Sequence, residues 1–238
     1  VPEMLRYKYH PGIATGVVAA SGTLGSLIPP SILMVLYGIF TEESIGQLLL
    51  AGLIPGILSA AIYMGMVWIR ATINPELAPK AESVTWTDRF IALKGVWSIL
   101  VLFVVVMGGI YSGWVTPTEA AAAGCAGAWI LGFITRRLTK EASRDAAIET
   151  AKQVANVFAL VLGAKIFVGF VALTGVAGHL TGWATNLDVE PIWILLSLSL
   201  VFVVLGTFMD PLGMMLLTLP VVTPVITNLG YDLVWFGV

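Results

Sequence analysis

Long uncharged apolar runs dominate the chain, with short polar stretches between them. Apolar windows fall at about 13–40, 46–69, 96–114, 117–135 and 153–175, free of charge except for Glu119 and Lys165. Two shorter apolar arms follow, about 191–207 and 211–228, separated by "GTFMDP". A helix rises about 1.5 Å per residue and a bilayer core is about 30 Å thick, so ~20 apolar residues cross it. The five windows therefore predict membrane-spanning helices. Each arm alone is at the short end for a span, so the arm–tip–arm pattern predicts a helical hairpin whose tip stops near mid-membrane.

Loop charges orient these segments. The opening "MLRYKYH" carries Arg6 and Lys8, whereas the next loop has only Glu42 and Glu43. The 70–94 connection holds Arg70, Lys80, Arg89 and Lys94, and the turn "SGWVTPTE" has no base. Segment 136–152 holds Arg136, Arg137, Lys140, Arg144 and Lys152, and the loop before the hairpin holds Asp188 and Glu190. Alternate loops are basic, which places Arg6 and Lys8 on the cytoplasmic side and Asp188 outside. The mixed charges of 136–152, at helical spacing, predict a solvated cytoplasmic helix.

Composition agrees with a lipid environment. Apolar residues make up 58% of the 238, charged residues 11%, and mean hydropathy is +0.95. Soluble domains carry about a quarter charged residues. The net charge of −2 is small and divided among loops, so nothing favours nucleic acid. The single Cys125 excludes an intrachain disulfide, and its small flanks predict a packed residue. The opening is polar and basic, unlike a signal peptide, and the final "YDLVWFGV" begins an apolar segment. The chain is expected to be a piece of a longer polypeptide.

Two places interrupt the apolar pattern. In "GTLGSLIPPS", Gly22, Gly25, Pro29 and Pro30 disfavour helix, and Ser21, Thr23, Ser26 and Ser31 bring hydroxyls. An unpaired backbone group in lipid costs several kcal/mol, so a break survives only where protein, water or ligand supplies partners. An unwound segment lining a binding site is expected, with unwinding at Gly22–Gly25; a proline kink is the plainer alternative. The second place is "LGTFMDPLG", with Gly206, Thr207, Asp210, Pro211 and Gly213. An acid at depth is costly unless it is paired, hydrated or coordinated. Asp210 either caps the returning helix or carries a functional charge. Lys165 is the other charge at depth, with Asp210, a helix-end carbonyl or substrate as possible partners.

The two regions also share a local pattern. Tyr9 precedes Gly16-Val17 after a basic, inner segment, and Tyr231 precedes Gly237-Val238 after an outer one. Repeated elements of opposite orientation are typical of secondary transporters, with sites at broken helices near the midplane.

The motifs "AASGTLGSLIPPSILMVLYG" (19–38), "SIGQLLLAGLIPGIL" (44–58), "WVTPTEAAAAG" (114–124) and "LGTFMDPLGMMLLTLPVVTPV" (205–225) resemble the large membrane subunit of tripartite ATP-independent periplasmic (TRAP) transporters. The resemblance implies an all-α, inverted-repeat, elevator-type transporter with broken helices and re-entrant hairpins. It implies three regions: 1–40, the end of a first hairpin and a broken helix; 41–190, scaffold and connecting helices; and 191–238, a second hairpin and the start of the next broken helix. The first hairpin and second broken helix would lie outside this chain.

The implied function is sodium-coupled uptake of an organic acid, such as a C4-dicarboxylate or sialic acid, by a multi-pass protein of the bacterial inner membrane. Its partners would be a small membrane subunit and a periplasmic substrate-binding protein. No cofactor is implied beyond the coupling Na+. Ser21, Gly22, Thr23, Gly25, Pro29, Pro30, Ser31, Gly206, Thr207, Asp210 and Pro211 are the candidate ion and substrate residues. Ser21, Thr23, Gly206 and Thr207 are the sodium candidates, and Lys165 is a further candidate for contact with substrate or for pairing with Asp210. Hard cations prefer carbonyl and hydroxyl oxygens. A sodium/divalent-anion symporter without a binding protein is the alternative within transport. The uncharged spans hold no His/Glu metal pair or Ser/His/Asp set, which disfavours an enzyme.

Overall fold

The protein was analysed as a computed structural model that describes residues 1–78, 85–136, 138–186 and 189–238. Lys80, Arg137 and Asp188, three of the orienting loop charges, lie outside the described residues. Among the described residues every regular element is helical. In order they are α1 (Pro2–Arg6), α2 (Pro11–Leu27), α3 (Ile32–Thr41), α4 (Ile45–Ile73), a 3₁₀ turn at Pro75–Leu77, α5 (Trp86–Tyr111), α6 (Pro117–Ile134), α7 (Lys140–Thr174), α8 (Val176–Thr185), α9 (Pro191–Phe208), α10 (Pro211–Asn228) and α11 (Leu233–Gly237). Among the described residues, five stretches are long and apolar enough to cross a membrane: Pro11–Thr41, Ile45–Ile73, Lys140–Thr174, Pro191–Phe208 and Pro211–Asn228. The expected spans at 96–114 and 117–135 are helical as α5 and α6, but the apolar part of α5, Val96–Tyr111, is shorter. The chain is an all-α polytopic membrane protein.

The helices form two compact units, Val1–Met34 with Ile45–Thr135, and Val35–Ser44 with Arg136–Gly237. In the first, α2 packs on α4 and α5 on α6. Small residues allow the second contact: a Cβ on Gly127 would meet Leu102 Cδ2 at 2.6 Å, and one on Gly124 would meet Val106 Cγ2 at 3.0 Å. Their neighbour Cys125 is exposed, not packed as expected. The glycines, not the thiol, occupy the face against α5. Thr116 opens α6 with a capping box, accepting from the Glu119 amide while Glu119 Oε2 accepts from the Thr116 amide at 2.7 Å.

In the second unit α7 runs unbroken for 35 residues, joining the charged segment 140–152 to the apolar span. It ends at Gly175, whose φ of 67° permits the left-handed exit to α8. Helices α9 and α10 form an antiparallel hairpin. Ile194 and Leu195, at the start of α9, pack on Val225 and on Val222 and Ile226 near the end of α10. The turn is short: Phe208 ends one arm and Pro211 begins the other.

Two distant segments adopt one local structure. After α1, Tyr7 N donates to Glu3 O, Lys8 N to Leu5 O and Tyr9 N to Met4 O. After α10, Leu229 N donates to Val225 O, Gly230 N to Thr227 O and Tyr231 N to Ile226 O, the same spacings. Lys8 and Gly230 are both left-handed, at φ 62° and 80°. Next comes a capping side chain in each case: His10 Nδ1 accepts from Gly12 N, and Asp232 Oδ1 from Trp235 N. The sequence showed the shared tyrosine and the Gly-Val pair that follows, but not the matching helix exit.

Candidate ion and substrate site at two helix interruptions

The first interruption lies later than the sequence suggested. Helix α2 continues through Gly22 and Gly25 to Leu27, and only Ile28–Ser31 leave the helix. The expected unwinding at Gly22–Gly25 is therefore corrected. Within α2 the hydroxyls bond back to the helix: Ser21 Oγ donates to Val18 O at 3.1 Å, Thr23 Oγ1 to Ala20 O at 2.7 Å, and Ser26 Oγ to Thr23 O at 2.7 Å. Such bonds suit a helix. Glycine in mid-helix costs only ~1 kcal/mol. The prolines decide the end. Pro29 and Pro30 have no N–H, so the Gly25 and Ser26 carbonyls lose their helical donors. Ile28 N still closes on Leu24 O at 2.8 Å, and Ile28 then turns extended.

Ser31 restarts the chain. Its buried hydroxyl donates to the Ser26 carbonyl and accepts from Met34 N at 3.4 Å. One side chain thus satisfies an orphaned carbonyl of α2 and an early amide of α3. The Gly25 carbonyl gets no such replacement from the proline nitrogen. Pro29 is buried, whereas Ser21, Gly22, Thr23, Gly25 and Pro30 are exposed in this chain.

Helix α4 is shaped to receive this break. A Cβ on Gly52 would stand 2.9 Å from Leu27 O and 2.3 Å from Met34 Cε, and one on Gly56 would stand 2.7 Å from Ile28 Cγ1. Glycines four apart let helices approach closely. Between them Pro55 removes the helical donor to Ala51 O. These residues were not singled out for the site from sequence, although the Gly-x-x-x-Gly spacing in "GLIPG" carried the signal.

The second interruption is the tip of the α9–α10 hairpin. Gly206 and Thr207 are helical and exposed, and Thr207 Oγ1 donates to Val203 O at 3.0 Å. Asp210 caps α10: its Oδ2 accepts from Leu212 N and Gly213 N, both at 3.0 Å, and Pro211 takes the first helical position. Gly213 makes room, since a Cβ there would meet Asp210 Oδ1 at 2.9 Å.

Lys165 does not pair with Asp210; the only ion pair among the described residues joins Arg6 and Glu3. Its ammonium lies 5.5 Å from the centre of the Phe40 ring, a cation–π contact. Beside it are Leu219, Pro220, Thr223 and Pro224, nine or more residues along α10 from Asp210. That separation, about 13 Å at helical rise, keeps the two charges apart. No group of three potential metal-ligating His, Cys, Asp or Glu side chains occurs among the described residues. The oxygens at the two interruptions are backbone carbonyls, Ser and Thr hydroxyls and the Asp210 carboxylate.

A family profile described as "Tripartite ATP-independent periplasmic transporter, DctM component" matches residues 1–238. The chain is 34% identical over its whole length to the C4-dicarboxylate TRAP transporter large permease protein DctM of Pseudomonas aeruginosa, covering 56% of that protein. It is 35% identical, again over its whole length, to the sialic acid TRAP transporter large permease protein SiaM of Vibrio cholerae, covering 56% of it. Identity is 30% to the ectoine/5-hydroxyectoine TRAP transporter large permease protein UehC of Ruegeria pomeroyi, covering 99% of this chain and 55% of that one. The chain spans about half the length of these curated relatives, all of which are named as permeases.

Proposed function

This chain belongs to the tripartite ATP-independent periplasmic transporter family, DctM component, and from that premise we propose that it is part of a permease moving an organic acid across the bacterial inner membrane with sodium as the coupling ion. The carrying observation is the break at Ile28–Ser31. Inside a membrane-crossing stretch, two prolines leave the Gly25 carbonyl without its helical donor, with Ser and Thr hydroxyls on the preceding turns. Backbone freed at depth needs a partner, and sodium accepts this ligand type. The tip at Gly206–Pro211 supplies a comparable set in its own unit, with Thr207 beside it. An anionic substrate group is favoured at the positive end of a helix, and α3 and α10 both begin at these interruptions.

The substrate class follows the names of the relatives: C4-dicarboxylate, sialic acid and ectoine all contain a carboxylate group, and isethionate, named for another, carries a sulfonate. The working complex includes a small membrane subunit and a periplasmic binding protein that delivers the substrate. The α9–α10 hairpin is re-entrant in this reading, and the complete permease works as an elevator.

Two measurements on the complete transporter test these statements. Purified protein in liposomes, supplied with its binding protein, should take up labelled substrate only under an inward sodium gradient. Thr23→Val or Thr207→Val should shift sodium activation to higher concentration without loss of assembled protein. Uptake indifferent to sodium would refute the coupling. For the hairpin, Glu190→Cys and Asn228→Cys should both react with an impermeant thiol reagent from the periplasmic side. Reaction of either from the cytoplasm would rule out re-entry.

A further inference from the structure

We propose that the pocket between the start of α2 and the end of α4 binds the phosphate group of an anionic phospholipid. The pocket has a volume of about 500 Å³ and is lined by His10, Ile13, Arg70, Ile73, Asn74 and Leu77. A bond from His10 N to Leu77 O, 3.1 Å long, ties the start of α2 to the 3₁₀ turn and holds these walls together.

Its polar side chains are left with donors only. His10 Nδ1 accepts from the backbone amide of Gly12 at 3.1 Å. That nitrogen is therefore unprotonated, and the ring proton resides on Nε2. Asn74 Oδ1 accepts from the backbone amide of Glu76 at 3.3 Å. Because a backbone amide can only donate, the amide orientation is fixed and the Asn74 NH₂ is left to donate. Arg70 can only donate, and among the described residues no carboxylate pairs with it. A guanidinium, an imidazole N–H and a carboxamide NH₂ thus belong to residues lining one pocket, with the His10 and Asn74 acceptors already engaged. Such a set selects an anion, and the planar fork of arginine fits two phosphate oxygens.

The surroundings favour lipid as the source of that phosphate. Ile13, Ile73 and Leu77 make half of the named lining apolar. Trp68, Ile69 and Ile73 are 71%, 51% and 79% exposed on the last turns of α4. Arg70 stands where the apolar run of α4 gives way to polar chain. The basic-loop orientation puts this end in the cytoplasmic leaflet, where basic pockets between helices bind anionic headgroups. The inference rests on that orientation and not on the transported substrate.

The test is native mass spectrometry of the complete, delipidated permease titrated with phosphatidylglycerol or phosphatidylcholine. Arg70→Gln should weaken the first phosphatidylglycerol by about tenfold, the scale of a charge-assisted contact, and leave phosphatidylcholine unchanged. His10→Ser, which keeps a capping oxygen and removes the Nε2 donor, should weaken it less. Melting temperatures should stay at the wild-type value, which separates lost binding from lost folding. Equal phosphatidylglycerol affinity in wild type and Arg70→Gln would overturn the site. Displacement of the lipid by millimolar inorganic phosphate, in an Arg70-dependent way, would overturn the lipid assignment in favour of a soluble anion.

Discussion

Lys8 and Gly230 occupy the same position in two copies of one helix exit, with φ of 62° and 80°. The hydrogen bonds before them match residue for residue, and each is followed by Tyr and then a capping side chain. A left-handed conformation costs a non-glycine residue ~1–2 kcal/mol. Gly230→Ala should therefore lower stability by about 1 kcal/mol. Lys8→Gly should gain less than about 1 kcal/mol, because glycine also loses more backbone entropy on folding. Thermal unfolding of the purified complete protein reads both, and opposite signs are the expected result.

Gly52 should be intolerant of any side chain. A Cβ there would crowd both the flexible end of Met34 and the fixed Leu27 carbonyl. Overpacking of this kind costs ~1–3 kcal/mol. Gly52→Ala should lower the melting temperature, and Met34→Ala added to it should restore only part, because the backbone contact remains. Full restoration would show that the methionine alone makes the contact.

Gly22 and Gly25 give the contrasting case. A Cβ at either meets nothing within 4 Å, and both are helical. Gly22→Ala should stabilise this conformation by up to ~1 kcal/mol. If another transport state unwinds α2 here, the same change should slow uptake while raising the melting temperature. Unchanged uptake would leave the helix intact throughout the cycle.

The membrane class, the hairpin and the two interruptions were legible in the sequence because apolar runs and prolines act locally. Asp210 beside Pro211 likewise announced a helix start. The exact extent of the first break was not legible. Glycines and hydroxyls next to prolines suggest unwinding, but Ser21, Thr23 and Ser26 bond back along α2 and the helix persists. The roles of Gly52 and Gly56 depend on which helix lies against them. The separation of Lys165 from Asp210 depends on which turn of α10 faces α7, and neither charge encodes that.

Asp210 provides the last test. Its Oδ2 accepts two amides at the start of α10, which accounts for an acid at this place without any ligand. Asparagine retains an acceptor oxygen and caps comparably, so Asp210→Asn should cost a few tenths to ~1 kcal/mol if capping is its whole role. Uptake should then stay near the wild-type level. Lys165 is not available as a buried partner, since it rests over Phe40. A large loss of uptake in Asp210→Asn, with the melting temperature unchanged, would therefore assign the charge to a bound cation. Asp210→Ala removes the cap as well and should lower the melting temperature further, by ~1 kcal/mol or more. Comparing the two variants separates charge from cap: equal uptake in Asp210→Asn and wild type, with instability only in Asp210→Ala, makes Asp210 a structural residue.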